Sequence, residues 1–145
     1  MAIFDAMLQF SGGGAEPNGQ DIGTSTITEA QASTNVLYFT DSDLEMGAGE
    51  PIWLNIKMGT EALLSTGSNT MTFALKRETD TTIDTDSTTV WSTTIAKANL
   101  TAGAWVVRMP LPYDIDADSY MGLLYTNNTA IASAGTVDEI GRAHV

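Results

Sequence analysis

Asp114, Asp116 and Asp118, in the run Asp114-Ile115-Asp116-Ala117-Asp118, have the most suggestive chemical spacing in this sequence. A calcium-binding loop begins in this way, because it draws oxygens from every second residue. The remainder of such a loop is missing: Ser119 stands where glycine makes the sharp turn, and Tyr125 where a bidentate glutamate closes the site. The run reads as a solvated acidic turn, with a calcium site of looser geometry as the alternative, and no metal ligand is assigned. Asp80, Asp84 and Asp86, set among threonines, carry a still weaker signal.

Catalytic chemistry finds even less support. The single histidine, His144, is the penultimate residue, where no buried partner is expected to orient its ring as a triad requires. Carboxylates are plentiful, but no spacing selects a glycosidase-like pair. Ser11-Gly12-Gly13-Gly14 is followed by no lysine and no clear helix start, so it is not a phosphate cradle. With no cysteine there is no thiolate chemistry. We therefore expect a protein that is not an enzyme, with no catalytic residues, no cofactor and no metal.

Trp53, Trp91 and Trp105 remain, since aromatic rings on a β-sheet face can stack on sugars or anchor a protein partner. Trp53 lies opposite the apolar face of its strand and is the candidate for an exposed contact. Trp105 shares its alternation with Val107 and Met109 and is expected in the core. Core or oligomer contact is the expected role of Trp91 as well.

The element that positions these residues runs from Met46 to Met58. Gly47, Gly49 and Pro51 cluster as chain breakers and predict a turn. Ile52, Leu54, Ile56 and Met58 then alternate with Trp53, Asn55 and Lys57, which is the period of a strand with one buried face. Similar alternation predicts strands over Asn69 to Arg77 (Met71, Phe73 and Leu75 on one face) and Trp105 to Met109, and further strands are read in the threonine-rich Thr89 to Ile95, with Val90 and Trp91, and in Ser119 to Thr126, with Tyr120, Met121, Leu123, Leu124 and Tyr125. Asn35 to Thr40 reads as a strand covered on both sides, and Ile131 to Ile140 as the last strand, followed by a tail from Gly141. Asp21 to Ser33 reads as a weak strand or ordered loop, Glu61-Ala62-Leu63-Leu64 as a single helical turn, Glu78 to Thr89 as an exposed connection, and Lys97 to Gly103 as a turn. About eight short strands with no long helix predict an all-β sandwich or barrel.

The first ten residues form either an N-terminal arm or the first strand of the core. Phe4, Ala6, Leu8 and Phe10 fall on one face of an extended segment, and Ser11-Gly12-Gly13-Gly14 then breaks regular structure. We divide the chain into residues 1–20, strand or arm plus glycine-rich loop, and residues 21–145, a single β-sandwich domain. Ile3, Phe4, Met7 and Phe10, with Trp53, are the candidate partner-contact residues.

Composition narrows the partners. The 145 residues carry 18 acidic against 6 basic side chains, a formal net charge of -12. Such a field repels phosphate, so no nucleic-acid partner is expected. Nothing approaches the roughly 20 apolar residues of a membrane helix, and the start has no basic region of a secretory signal. No membrane partner is expected, and synthesis in the cytoplasm is.

Several runs in order resemble one family. They are Ile3-Phe4-Asp5-Ala6-Met7-Leu8-Gln9-Phe10-Ser11, Ser33-Thr34-Asn35-Val36, Gly47-Ala48-Gly49-Glu50-Pro51 with the strand that follows, and the stretch from Ile95 through Lys97-Ala98-Asn99-Leu100-Thr101-Ala102-Gly103 to Met109-Pro110-Leu111-Pro112. Together they resemble the Bbp16-like capsid cement proteins of tailed bacteriophages. The resemblance implies a jelly-roll-like sandwich that decorates the outer surface of an HK97-type head and bridges neighbouring capsomers. It also implies the major capsid protein as partner, a homodimer or homotrimer, and a place in the virion after assembly in the host cytoplasm. A carbohydrate-binding β-sandwich module is the alternative, and a small hydrolase relying on its carboxylates the third reading.

Overall fold

The alternation around Trp53 folds as its pattern dictates. Leu54, Ile56 and Met58 are fully buried, whereas Trp53 and Lys57 are exposed on the opposite face. The structure, a computed structural model, describes residues 20–21, 30–33, 35–39, 53–60, 69–111, 119–127 and 136–142. The candidate contacts Ile3, Phe4, Met7 and Phe10, the carboxylates of residues 114–118, the 61–64 turn and His144 lie outside the described residues.

The strands are β1 (Gln20–Asp21), β2 (Ala30–Ala32), β3 (Leu37–Phe39), β4 (Trp53–Thr60), β5 (Thr70–Glu78), β6 (Thr88–Ala96), β7 (Trp105–Pro110), β8 (Ser119–Asn127) and β9 (Thr136–Arg142). Among the described residues the only helical element is a short 3-10 turn, Lys97–Asn99, and no helix is long and apolar enough to cross a membrane. One sheet has the order β1-β9-β4-β7; the other has β2-β8-β5-β6, with β3 also on β8.

All pairings are antiparallel, and they nest. β5 pairs β6, β4 pairs β7, β2 and β3 pair β8, and β1 pairs β9, with successive pairs alternating between the two sheets. That is one long hairpin rolled up into a sandwich, the jelly-roll arrangement. β2 and β3 act as one interrupted edge strand along β8. Ser33 fills the interruption: its amide donates to the Leu123 carbonyl (2.7 Å), and its Oγ accepts from the Leu123 amide (3.0 Å) while donating to the Asn35 carbonyl (2.7 Å).

The core lies between the sheets. Leu54, Ile56 and Met58 of β4 face Met71, Phe73 and Leu75 of β5 and Met121, Leu123 and Tyr125 of β8, with Leu100 and Leu111 closing the cluster. Phe73 and Tyr125 meet edge to face with centroids 5.8 Å apart, a favoured aromatic geometry. Trp91 and Ile95 of β6 pack against this cluster half-buried.

Two expectations are corrected and a third is refined. Tyr38 is 46% exposed, so β3 is not covered on both sides; its ring lies instead against Tyr120 across the ladder, centroids 4.6 Å apart. The 79–87 connection is exposed as expected except at Ile83 and Ser87, which are buried, and it is anchored by Lys76 Nζ, itself buried, which donates to the carbonyls of Ser87 (2.9 Å) and Thr85 (3.3 Å). Gly141 and Arg142 belong to β9, paired with Leu54 and Trp53, where a tail was expected.

Candidate interaction surface

β7 departs from a period of two, and that departure builds the surface. Ile56 pairs with Val107, but the next residue, Lys57, pairs with Trp105, so Val106 is an extra residue in β7. A bulge of this kind turns the side chains beyond it to the other face. Trp105 is therefore 51% exposed on the outer face of the β9-β4-β7 sheet, and the expectation that it shares the core with Val107 and Met109 is overturned. Val106 takes up the partly buried position against the core instead.

On that outer face Trp105 meets two cations. The Arg108 guanidinium carbon lies 4.8 Å from the ring centroid and Lys57 Nζ 5.8 Å from it, both within cation–π range. Trp53, 37% exposed, pairs with Pro110 at the far end of the β4-β7 ladder. Trp53 and Lys57 stand four positions apart on β4, about 13 Å of strand. Between them Asn55 is buried although it points away from the core, and Arg108 is its neighbour across the ladder.

The chain has only 6 basic residues, which makes their positions informative. Lys57 and Arg108 flank Trp105 in the open, each with its charged group against the ring. Lys76, by contrast, is committed to the 79–87 loop. In this acidic molecule the outer β4-β7 face is thus an aromatic patch with two cations gathered at Trp105.

The described residues contain no group of three histidine, cysteine or acid side chains able to hold a metal. Asp80 and Asp84 are occupied locally. Asp80 Oδ1 accepts from the Thr82 amide (2.6 Å), and Asp84 Oδ1 accepts from the Asp86 and Ser87 amides (2.8 and 3.1 Å). These are turn-forming contacts of aspartate with its own backbone. Of the residues proposed from sequence as partner contacts, the structure describes Trp53 alone and leaves it exposed. Lys57, Trp105 and Arg108 were missed. The signal that could have found them is the doubled Val106-Val107, which breaks the alternation between Trp105 and Arg108.

A family model described as Bbp16 matches residues 22–140. The chain belongs to the Bbp16 family. The matched region takes in Trp53, Lys57, Trp105 and Arg108, and Bbp16 membership marks the chain as phage-related. No curated protein matches the chain.

Proposed function

We propose that the protein is a non-enzymatic capsid cement protein that binds the outer surface of an HK97-type phage head and opposes separation of major capsid protein capsomers. The carrying observation is the outer β4-β7 face, where two exposed tryptophans and two exposed cations lie together on a phage-related chain. Tryptophan and arginine are the residues most enriched at the energetic centres of protein interfaces. A rigid sheet holds them at fixed spacing, so little ordering entropy opposes docking.

In this reading the partners are the major capsid protein and further copies of the chain itself, as a homodimer or homotrimer, with no nucleic acid and no membrane. The protein resides on the virion exterior after assembly in the host cytoplasm. One module touching several capsid subunits gains from multivalency even where each contact is modest.

The alternative, a carbohydrate-binding module, would stack sugar on the exposed rings. Arg108 lies over the Trp105 ring and competes for the face a sugar needs, which favours a protein partner.

The test is co-sedimentation of the purified protein with expanded and unexpanded shells lacking it. Saturable binding at a fixed ratio to the major capsid protein, with a raised shell melting temperature, is expected. Failure to pellet with either form, together with saturable binding on a glycan array, would replace this reading with the alternative.

A further inference from the structure

The open edges of the two sheets are built very differently. β7 carries Arg108, ends in Pro110 and is bulged at Val106, and charge, proline and bulges are the devices by which natural edges resist pairing with another chain. β1, β2 and β3 are two or three residues long, which also limits pairing. β6 has none of these protections over its most regular part. It is nine residues long, Thr-Thr-Val-Trp-Ser-Thr-Thr-Ile-Ala, without charge or proline. Its one irregularity lies opposite Leu75 and Lys76, leaving Trp91 to Ala96 in unbroken register with β5. Among the described residues no strand lies beyond it.

We propose that the β6 edge is a self-pairing site, through which two copies of this chain join antiparallel about a two-fold axis at Thr93 to make one continuous sheet. The sequence of β6 is complementary to itself in that register. Trp91 then stands directly opposite Ile95 of the second copy, and this pair occurs twice, covering side chains that the single copy leaves half-buried. Aromatic and β-branched residues directly opposed are favourable cross-strand partners. On the outer face Ser92 stands opposite Thr94 of the second copy. The cross-strand Thr72 and Thr94 hydroxyls, 2.8 Å apart within one chain, already have hydrogen-bonded contact of this kind.

Charge points to the same occupant. Each copy carries a net -12, so two copies repel most weakly where a long strand has no charge at all. Symmetric edge-to-edge pairing is isologous and closes at two, which selects the dimer over the trimer. The inference does not depend on the capsid reading: a dimer that ignores shells would leave it standing.

Sedimentation equilibrium of the full chain over a concentration series tests it, with two double variants. Ser92→Lys with Thr94→Lys apposes like charges across the axis, and Ser92→Lys with Thr94→Glu apposes opposite ones. The wild type is expected to dimerise, the like-charge variant to lose about tenfold or more in dimer affinity, and the opposite-charge variant to retain it. A wild type that stays monomeric or forms a trimer overturns the proposal, as does equal dissociation of both variants. Amide exchange on the unmodified chain gives a reading that needs no variant: outward amides of Trp91 to Ala96 should slow as concentration rises, and unchanged exchange overturns it.

Discussion

Gly122 lies directly beneath Ile83. A Cβ built on Gly122 would stand 2.7 Å from Ile83 Cγ1, and 3.3 Å from both Ser33 Oγ and Val36 Cγ1. The missing side chain on β8 lets the 79–87 loop and the Ser33 junction both close down on the outer face of this sheet. Gly122→Ala is expected to cost about 1–3 kcal/mol by overpacking, although a strand interior ordinarily prefers alanine to glycine. Urea unfolding reads this. Adding Ile83→Ala should recover part of the loss, because the two sites share one contact, and strict additivity of the two changes would refute the account.

Lys76 holds the same loop from its other end. Its ammonium is buried and bonds two loop carbonyls, those of Thr85 and Ser87. Lys76→Met keeps the aliphatic stem and strands the carbonyls, so a loss of about 1–3 kcal/mol is expected. Faster amide exchange confined to residues 84–87 should accompany it. Unchanged stability and exchange would mean that the loop is held by its aspartate turns alone.

Trp105 is expected to matter for binding far more than for folding. Because half the residue's surface is exposed, Trp105→Ala should cost about 1 kcal/mol or less in stability, the order of its cation–π contacts. Under the proposed function its shell affinity should fall by about 2 kcal/mol or more, the scale of an interface hot spot. Lys57→Glu with Arg108→Glu should weaken shell binding further and alter its salt dependence. Wild-type co-sedimentation by these folded variants would move the contact surface elsewhere.

Gly103 closes the turn from β6 into β7 with φ of 76°, and its amide donates to the Met58 carbonyl at 2.8 Å. A Cβ there would meet only Lys57 Cε, at 3.9 Å, so space is not the constraint. The left-handed backbone alone predicts a loss of about 1–2 kcal/mol for Gly103→Ala. Gly103→Asn should lose less, since asparagine tolerates that region. Thermal melts of the two variants separate backbone strain from crowding.

The inward faces of β4 and β5 were legible because each alternates with a period of two, as in Met71, Phe73 and Leu75, whereas β8 is buried over five consecutive residues and showed only that it is a strand. The outward turn of Trp105 was not legible, since reading alternation assumes that every residue advances the ladder by one, and Val106 does not. Ile83 was hidden for a different reason. One apolar residue in a run of threonine and aspartate has no period, and its burial is decided by Gly122, far away in sequence. The all-β class followed from strand spacing, whereas the nesting of the pairs depends on contacts that no local pattern specifies.

That nesting has a kinetic consequence. The β5–β6 hairpin closes a short loop, whereas β1 and β9 bring Gln20 to Val137 and must close nearly the whole chain. Loop-closure entropy rises with length, and folds dominated by distant pairings fold in about milliseconds to seconds. We therefore expect the rolled hairpin to zip from β5–β6 outward, with the β1–β9 pair forming after the rate-limiting step. Weakening the β1–β9 pair should then accelerate unfolding and leave the refolding rate unchanged in stopped-flow traces. A slowed refolding limb would place that pairing inside the nucleus instead.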